Sequence, residues 1–259
     1  TGTSPFDFSS DGTNPVISPK DITDRQATLV ADPFMIRKDR TWYMFFEVEN
    51  GTPLQGDIGY ATSEDGFHWN YQKIVLDEPF HLSYPYVFRH DDNYYMIPES
   101  NQASAVRLYR AVEFPAKWEF TGTLLEGRTF ADNSLLNYDN RWWLFSETSS
   151  MPHDNGTLRL YFADNLTGPW KEHPESPIIR GNPNIARPGG RVISYRNELF
   201  RYTQDCYPVY GYQVFAFKIT TLTPKKYSET LYRKAPIVTA SRNGWNRLGM
   251  HHVDPHRLD

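Results

Sequence analysis

Cysteine is nearly absent from this sequence. Cys206 stands alone, which excludes an intramolecular disulfide and a cysteine-based zinc site and leaves the compartment, secretory or cytoplasmic, unresolved. There is no apolar run long enough to span a bilayer and no charged-then-apolar opening segment, so neither a membrane span nor a signal peptide is read. Positive charge is not in excess: 27 Lys and Arg face 31 Asp and Glu, for a formal net charge of −4. The basic residues are scattered singly rather than gathered into a stripe that could neutralise a phosphate backbone, so nucleic acid is not an expected partner. No Gly/Ser-rich or Pro-rich linker and no charge block divides residues 1–259, which are therefore expected to form one domain. Neither an amphipathic helical stretch nor a metal-ligand spacing of the HExxH kind is present, and neither a metal nor another cofactor is expected.

What the chain does contain is a repeat. ADPFMIRKDRTWYMFFE at 31–47, SYPYVFRHDDNYYMIPE at 83–99 and ADNSLLNYDNRWWLFSE at 131–147 align without gaps, each reading strand, polar turn, aromatic strand, carboxylate. A fourth copy, PGGRVISYRNELFRYTQ at 188–204, keeps the spacing but ends on Gln204, with Asp205 following. Asp32 to Glu47, Tyr84 to Glu99, Asp132 to Glu147 and Gly189 to Gln204 are each 15 residues apart. A looser hairpin follows every unit and closes on an aromatic-led strand at Trp69, Trp118, Trp170 or Tyr227, after a turn rich in Gly, Pro, Asp or Asn.

Four strands per repeat, with repeat starts near 32, 84, 132 and 188, predict an all-β, five-bladed β-propeller of four-stranded blades. A fifth unit opens at HHVDPHRLD, residues 251–259, either closed by the N-terminal segment containing the strand-like NPVIS or left incomplete. A β-sandwich with coincidental internal similarity is the competing reading.

In a propeller the first strand of each blade lines the central channel, so the residues that open those strands converge. Here the openings are Asp32, Tyr84 with His81 just before it, Asp132, Arg187-Pro-Gly-Gly, and His251-His252-Val-Asp254. A purely structural channel would be filled with apolar side chains, because burying charge is costly unless it pairs or meets a ligand. Asp32 and Asp132 are candidate catalytic carboxylates, one acting as base or nucleophile and the other orienting it. The bland account is an Asp bonding its own turn. Glu47, Glu99 and Glu147 end the second strands, where a solvated or turn-binding carboxylate is the ordinary outcome, and Glu99 is the strongest catalytic candidate of the three. His81, Tyr84, Arg187, Arg201, Asp205, His251 and His252 are candidate substrate contacts, whereas Tyr43, Tyr95, Trp143 and the recurring Trp are read as blade core. The sequons at Asn50, Asn155 and Asn165 carry little weight.

The motifs Ala-Asp-Pro-Phe, Gly-Asp-Ile-Gly, His-Leu-Ser-Tyr-Pro-Tyr-Val-Phe, Pro-Glu-Ser, Gln-Asp-Cys and His-His-Val-Asp resemble the N-terminal domain family of the glucosamine inositolphosphorylceramide transferases. The similarity runs from about residue 30 to the C-terminus, and 81–88 with 251–254 are its most specific pieces. More distantly the pattern is similar to five-bladed glycosidases and transglycosylases of the arabinanase, xylosidase and invertase type. That resemblance implies a base or nucleophile at Asp32 and a supporting carboxylate at Asp132. Where those enzymes carry their general-acid Glu, this chain reads Arg187-Pro-Gly-Gly-Arg191, which leaves the acid to Glu99, Asp205 or His252 and suits an anionic sugar, such as a sugar phosphate. Two functions follow: an enzyme that cleaves or transfers a glycosyl group, or a non-catalytic glycan-binding or scaffold propeller fused to, or acting with, a glycosyltransferase.

Overall fold

Polar two-residue turns fold the chain back on itself wherever the repeat places them. The computed structural model describes residues 2–8, 14–51, 54–151, 154–241 and 243–257. The first sheet is β1 (Ala27–Lys38), β2 (Thr41–Gly51), β3 (Leu54–Ser63) and β4 (Asn70–Leu76), and the second is β5 (Ser83–His90), β6 (Asn93–Glu99), β7 (Ala105–Glu113) and β8 (Lys117–Glu126). The third is β9 (Ala131–Tyr138), β10 (Arg141–Glu147), β11 (Leu158–Ala163) and β12 (Lys171–Glu172). The fourth is β13 (Ile193–Tyr195), β14 (Glu198–Asp205), β15 (Gln213–Leu222) and β16 (Tyr227–Leu231), with β17 (Val238–Thr239) paired to β15. All are antiparallel meanders. Residues 10–127 make one compact unit, and 1–9 with 128–259 make another; each is described in its own frame.

Hairpin chemistry explains the repeat. Asp91-Asp92, Asp139-Asn140 and Arg196-Asn197 hold positive φ at both central positions, and in the first unit Asp39 holds it at the first of the two. A two-residue turn with that backbone matches the right-handed twist of the strands it joins, and Asp and Asn tolerate the left-handed region best. The recurring Trp serve the outer hairpins: the indole N–H of Trp69, Trp118 and Trp170 donates to the carbonyls of Gly66, Pro115 and Leu166 at 3.2, 2.7 and 3.0 Å. Trp118 is buried and Trp69 and Trp170 are half-buried, each with its one donor satisfied.

Four such sheets, not five, stand among the described residues. His251–Asp254, expected to open a fifth blade, instead lies along the opening of the fourth, with a parallel bridge from Val253 to Gly190 and the Val253 N–H donating to Gly189 at 3.0 Å. That contact explains Pro-Gly-Gly. A Cβ on Gly190 would fall 1.9 Å from the Val253 carbonyl oxygen, and one on Gly189 would meet His251 O at 3.0 Å. The expected closing strand at NPVIS does not form, and no strand precedes Ala27 among the described residues. Ile17 and Ile22 pack instead with Met44, Phe46 and Val48 in the first blade. Phe6 docks on the fourth, its ring 4.7 Å from Phe200 and 4.3 Å from Tyr232, a burial that stabilises by roughly 2–3 kcal/mol. No described helix is long and apolar enough to cross a membrane.

Candidate functional site

Each blade opening repeats one local device. Ala31 pairs with Glu47, Ser83 with Glu99 and Ala131 with Glu147, and immediately after the first member the register slips. The residue in the slip takes the left-handed conformation: Asp32 at φ 52°, Tyr84 at 45°, Asp132 at 51°. For a tyrosine this is a backbone outlier, and each such residue costs about 1–3 kcal/mol that the surrounding structure must offset. A bulge re-aims a side chain, and all three side chains are buried, at 8%, 0% and 2% exposure. In the fourth blade the aligned position is Gly189, whose side-chain space is closed by the backbone of Thr203 and Gln204 and by the His251 carbonyl.

In the unit of residues 10–127 the opening is occupied by Asp32, Tyr84, Glu47, His81 and Glu99. The Tyr84 ring packs edge-on to Phe34 with centroids 4.7 Å apart. Glu47, expected at a solvated rim, is buried because an antiparallel strand's end lies beside its partner's start. Its Oε1 is 3.2 Å from His81 Nε2, while His81 Nδ1 accepts the Gly56 N–H at 2.9 Å. Burial, and beyond it the Asp32 charge, pushes the Glu47 carboxyl above the usual carboxylate range against the pull of His81. Glu47 in turn raises the basicity of His81. The Gly56 N–H nevertheless requires a lone pair on Nδ1, so this geometry holds the ring neutral with its proton on Nε2, facing Glu47. Glu99 is buried and accepts from the Asn101 side chain at 2.9 Å.

In the unit containing residues 128–259, Asp132 Oδ2 receives Arg187 Nε and Gln204 Nε2, each at 2.5 Å. Gln204 Nε2 also lies 2.8 Å from Pro188 O. Arg187 further donates to Asn155 Oδ1 at 2.8 Å, and its guanidinium carbon sits 5.2 Å from the Tyr210 ring centroid. Tyr210 packs on His251 at 5.6 Å. His252 is half-buried beside it in sequence. Burial pushes the neighbouring Cys206 thiol up to about 11, which makes it a poor nucleophile.

Two expected contacts are placed elsewhere. Arg201 does not join Arg187: it is buried in a bidentate pair with Glu229, at 2.5 Å from both Nε and a terminal nitrogen, and donates to Ile185 O at 3.1 Å. Arg201 and Gln204 are an odd number of residues apart on one strand, so their side chains leave opposite faces, and Gln204 is the one that reaches Asp132. Asp205 holds loops together, accepting from Asn184, the Tyr207 N–H and Gln213 at 2.6, 3.2 and 2.8 Å. Asp254 pairs with Arg191 and His256, both at 2.8 Å, which against the desolvation of burial hold its carboxyl far below the usual range.

Sequence reasoning missed the roles of Asn155, Gln204 and Tyr210 and underrated Glu47. The available signals were the recurrence of Glu47 beside Asp32 and the substitution of Gln204 for the carboxylate of the other repeats. Among the described residues no group of three or more His, Cys, Asp or Glu is disposed to hold a metal ion.

The model of the family described as "Glucosamine inositolphosphorylceramide transferase 1, N-terminal" matches residues 9–259. The chain belongs to that family. The glucosamine inositolphosphorylceramide transferase 1 of Oryza sativa subsp. japonica is 38% identical over 237 residues, covering 90% of this chain and 32% of the rice protein. The chain thus spans about a third of the length of its curated relatives. Among solved structures, Zg3597, a family 117 glycoside hydrolase of Zobellia galactanivorans, matches with TM-score 0.63 at 12% identity, covering 85% of this chain and 74% of that one. A glycosyl hydrolase of Bacteroides ovatus matches with TM-score 0.65 at 12% identity over 85% and 77%. At such identity the likeness speaks to fold alone, and that fold is the all-β propeller.

Proposed function

We propose that this family member is a carbohydrate-active domain that cleaves or transfers a glycosyl group. The observation that carries the reading is the buried Glu47 beside Asp32: a carboxyl whose proton affinity is raised by burial and by the charge of a second carboxylate is an arrangement that acid–base chemistry on a glycosidic bond can use. Asp32 takes the acceptor's proton or attacks the anomeric carbon. Glu47, its proton affinity raised by burial and backed by the Nε2 proton of His81, gives its proton to the leaving oxygen. Glu99 lies on the neighbouring blade of the same unit and contacts substrate in this reading, as does Tyr84. Within the unit containing residues 128–259, Arg187 with His251 and His252 nearby in the same unit is the proposed contact for an anionic ligand, since its planar donor fork suits phosphate or carboxylate. Action beside a glycosyltransferase domain belongs to the same proposal.

One observation favours a non-catalytic glycan-binding or scaffold domain instead. Asp132 is neutralised by Arg187, and Gln204 stands where the other repeats carry Glu. Hydrolysis and transfer on a panel of pyranosides, furanosides and sugar phosphates separate the two. On a substrate that is turned over, Asp32→Asn and Glu47→Gln are each expected to lose about 100-fold or more. Unchanged turnover in both variants would remove these residues from the chemistry; glycan binding without any turnover would establish the scaffold reading. Titration of phosphate and a sugar phosphate against wild type and Arg187→Ala tests the anion, and equal affinity for both proteins would make Arg187 a counter-ion only.

A further inference from the structure

At the strand-opening end of the first blade, outside the residues placed in the chemistry above, lies a cleft of about 440 Å³. Arg25 and Gln26 reach it from the approach to β1, Asn50 from the end of β2, Gln55 and Asp57 from the start of β3, and Asp77 from the exit of β4. The remaining lining residue is Gly51, so among the described residues no apolar or aromatic side chain faces the space. Asp57, the aspartate of Gly-Asp-Ile-Gly, is 1% exposed and accepts from Arg25 Nε at 3.2 Å and Asn50 Nδ2 at 2.9 Å. Arg25 also reaches Asp77 at 2.8 Å, so one guanidinium serves two carboxylates. Desolvation, with Asp77 adding to it, raises Asp57 above the usual range.

These properties narrow the ligand. The described lining favours a molecule that is polar on every side, because none of its side chains would stack on or bury an apolar surface. The lining carries one base and two acids, and a further anion would be repelled. The exposed Asp77 carboxylate accepts from hydroxyls, and the amides of Gln26, Asn50 and Gln55 with the Arg25 guanidinium donate to them. We propose that this cleft is a subsite for an uncharged sugar unit. The assignment rests on the carbohydrate reading above and extends it to a unit next to the reacting one: Gln55 and Asp57 flank Gly56, whose N–H fixes His81. Occupation of the cleft thereby bears on the strand that positions the Glu47–His81 pair.

The test is amide chemical-shift mapping on isotopically labelled chain with maltotriose, N-acetylglucosamine and glucose 6-phosphate, on wild type, Gln55→Ala, Asp77→Asn and Asp32→Asn. Shifts are expected at residues 25–26, 50–57 and 77 with the two neutral saccharides and weaker ones with glucose 6-phosphate. Gln55→Ala and Asp77→Asn should each weaken the neutral binding in the cleft about tenfold, the scale of one hydrogen bond, while Asp32→Asn leaves the binding in the cleft intact. Shifts confined to the surroundings of Asp32 and Glu47 would overturn the subsite and keep the carbohydrate reading. Preference for glucose 6-phosphate in the cleft would overturn the charge argument and with it the proposal. No response to any saccharide anywhere would sink both.

Discussion

Arg187 and Asp132 form a buried pair whose energetics can be worked out in advance. Asp132 is 2% and Arg187 14% exposed in their side chains, and each lies within hydrogen-bond distance of the other. Arg187→Met keeps the aliphatic volume and removes the ion pair, the bond to Asn155 and the contact with Tyr210. A buried carboxylate stripped of its partner costs about 3–5 kcal/mol. The Gln204 donor remains, so the lower end, about 3 kcal/mol, is expected. Asp132→Asn is cleaner, because Asn tolerates the left-handed backbone at this position as Asp does, and the remaining guanidinium keeps Asn155. About 1.5 kcal/mol is expected. The double variant buries no charge and is expected to lose only about 2 kcal/mol in total, giving a coupling of about 2.5 kcal/mol, within the range for residues in contact. Urea unfolding at pH 7 followed by tryptophan fluorescence reads all four proteins. Thermal melting should show Arg187→Met lower by about 6–12 °C. Additive losses, with no recovery in the double variant, would refute the idea that charge compensation is what Arg187 does for Asp132.

Other expectations follow from single sites. Because Glu47 is raised above its ordinary 4.5, the stability that its protonated form contributes is complete below that pH and is lost as pH rises through the folded value. Glu47→Gln should therefore melt above wild type at pH 7.5 and no higher than wild type at pH 4, and a pH-independent difference would contradict the assignment. Gly190→Ala places a Cβ 1.9 Å from the Val253 carbonyl oxygen at a φ of 141°. It should cost about 3 kcal/mol or more and expose the Val253 amide to hydrogen exchange; retained protection would mean that the C-terminal segment is not seated there. Tyr202→Phe removes the hydroxyl that donates to Pro5 O at 2.6 Å and should lower stability by about 1 kcal/mol, with near-neutrality in urea unfolding arguing against docking of the N-terminal residues on the fourth blade.

The repeat was legible because it is local. Alternation, turn residues and a constant 15-residue step are properties of neighbouring residues, and they located the four sheets and the polar hairpin turns. The recurring Trp were also legible, since each bonds a carbonyl three or four residues before it. Arg201 was not. Its neighbours in sequence suggested a place with Arg187, but strand alternation sends it to Glu229, 28 residues away. Glu47 was seen and undervalued, since its burial depends on His81, which the chain reaches only 34 positions later.

By itself, then, the sequence determined the class of fold, the blade register and the identity of the residues that open each strand, because period-two patterning and turn stereochemistry act over a few residues. Tertiary structure alone decided that His251–Asp254 runs beside Gly189 and Gly190 instead of starting a sheet, that Asp132 is held by Arg187 and Gln204, and that Asp57 sits in a polar cleft. Burial, the pairing of charges and the proton affinity of Glu47 depend on groups brought together from distant parts of the chain, and desolvation is a property of that assembled surrounding, not of any residue in it.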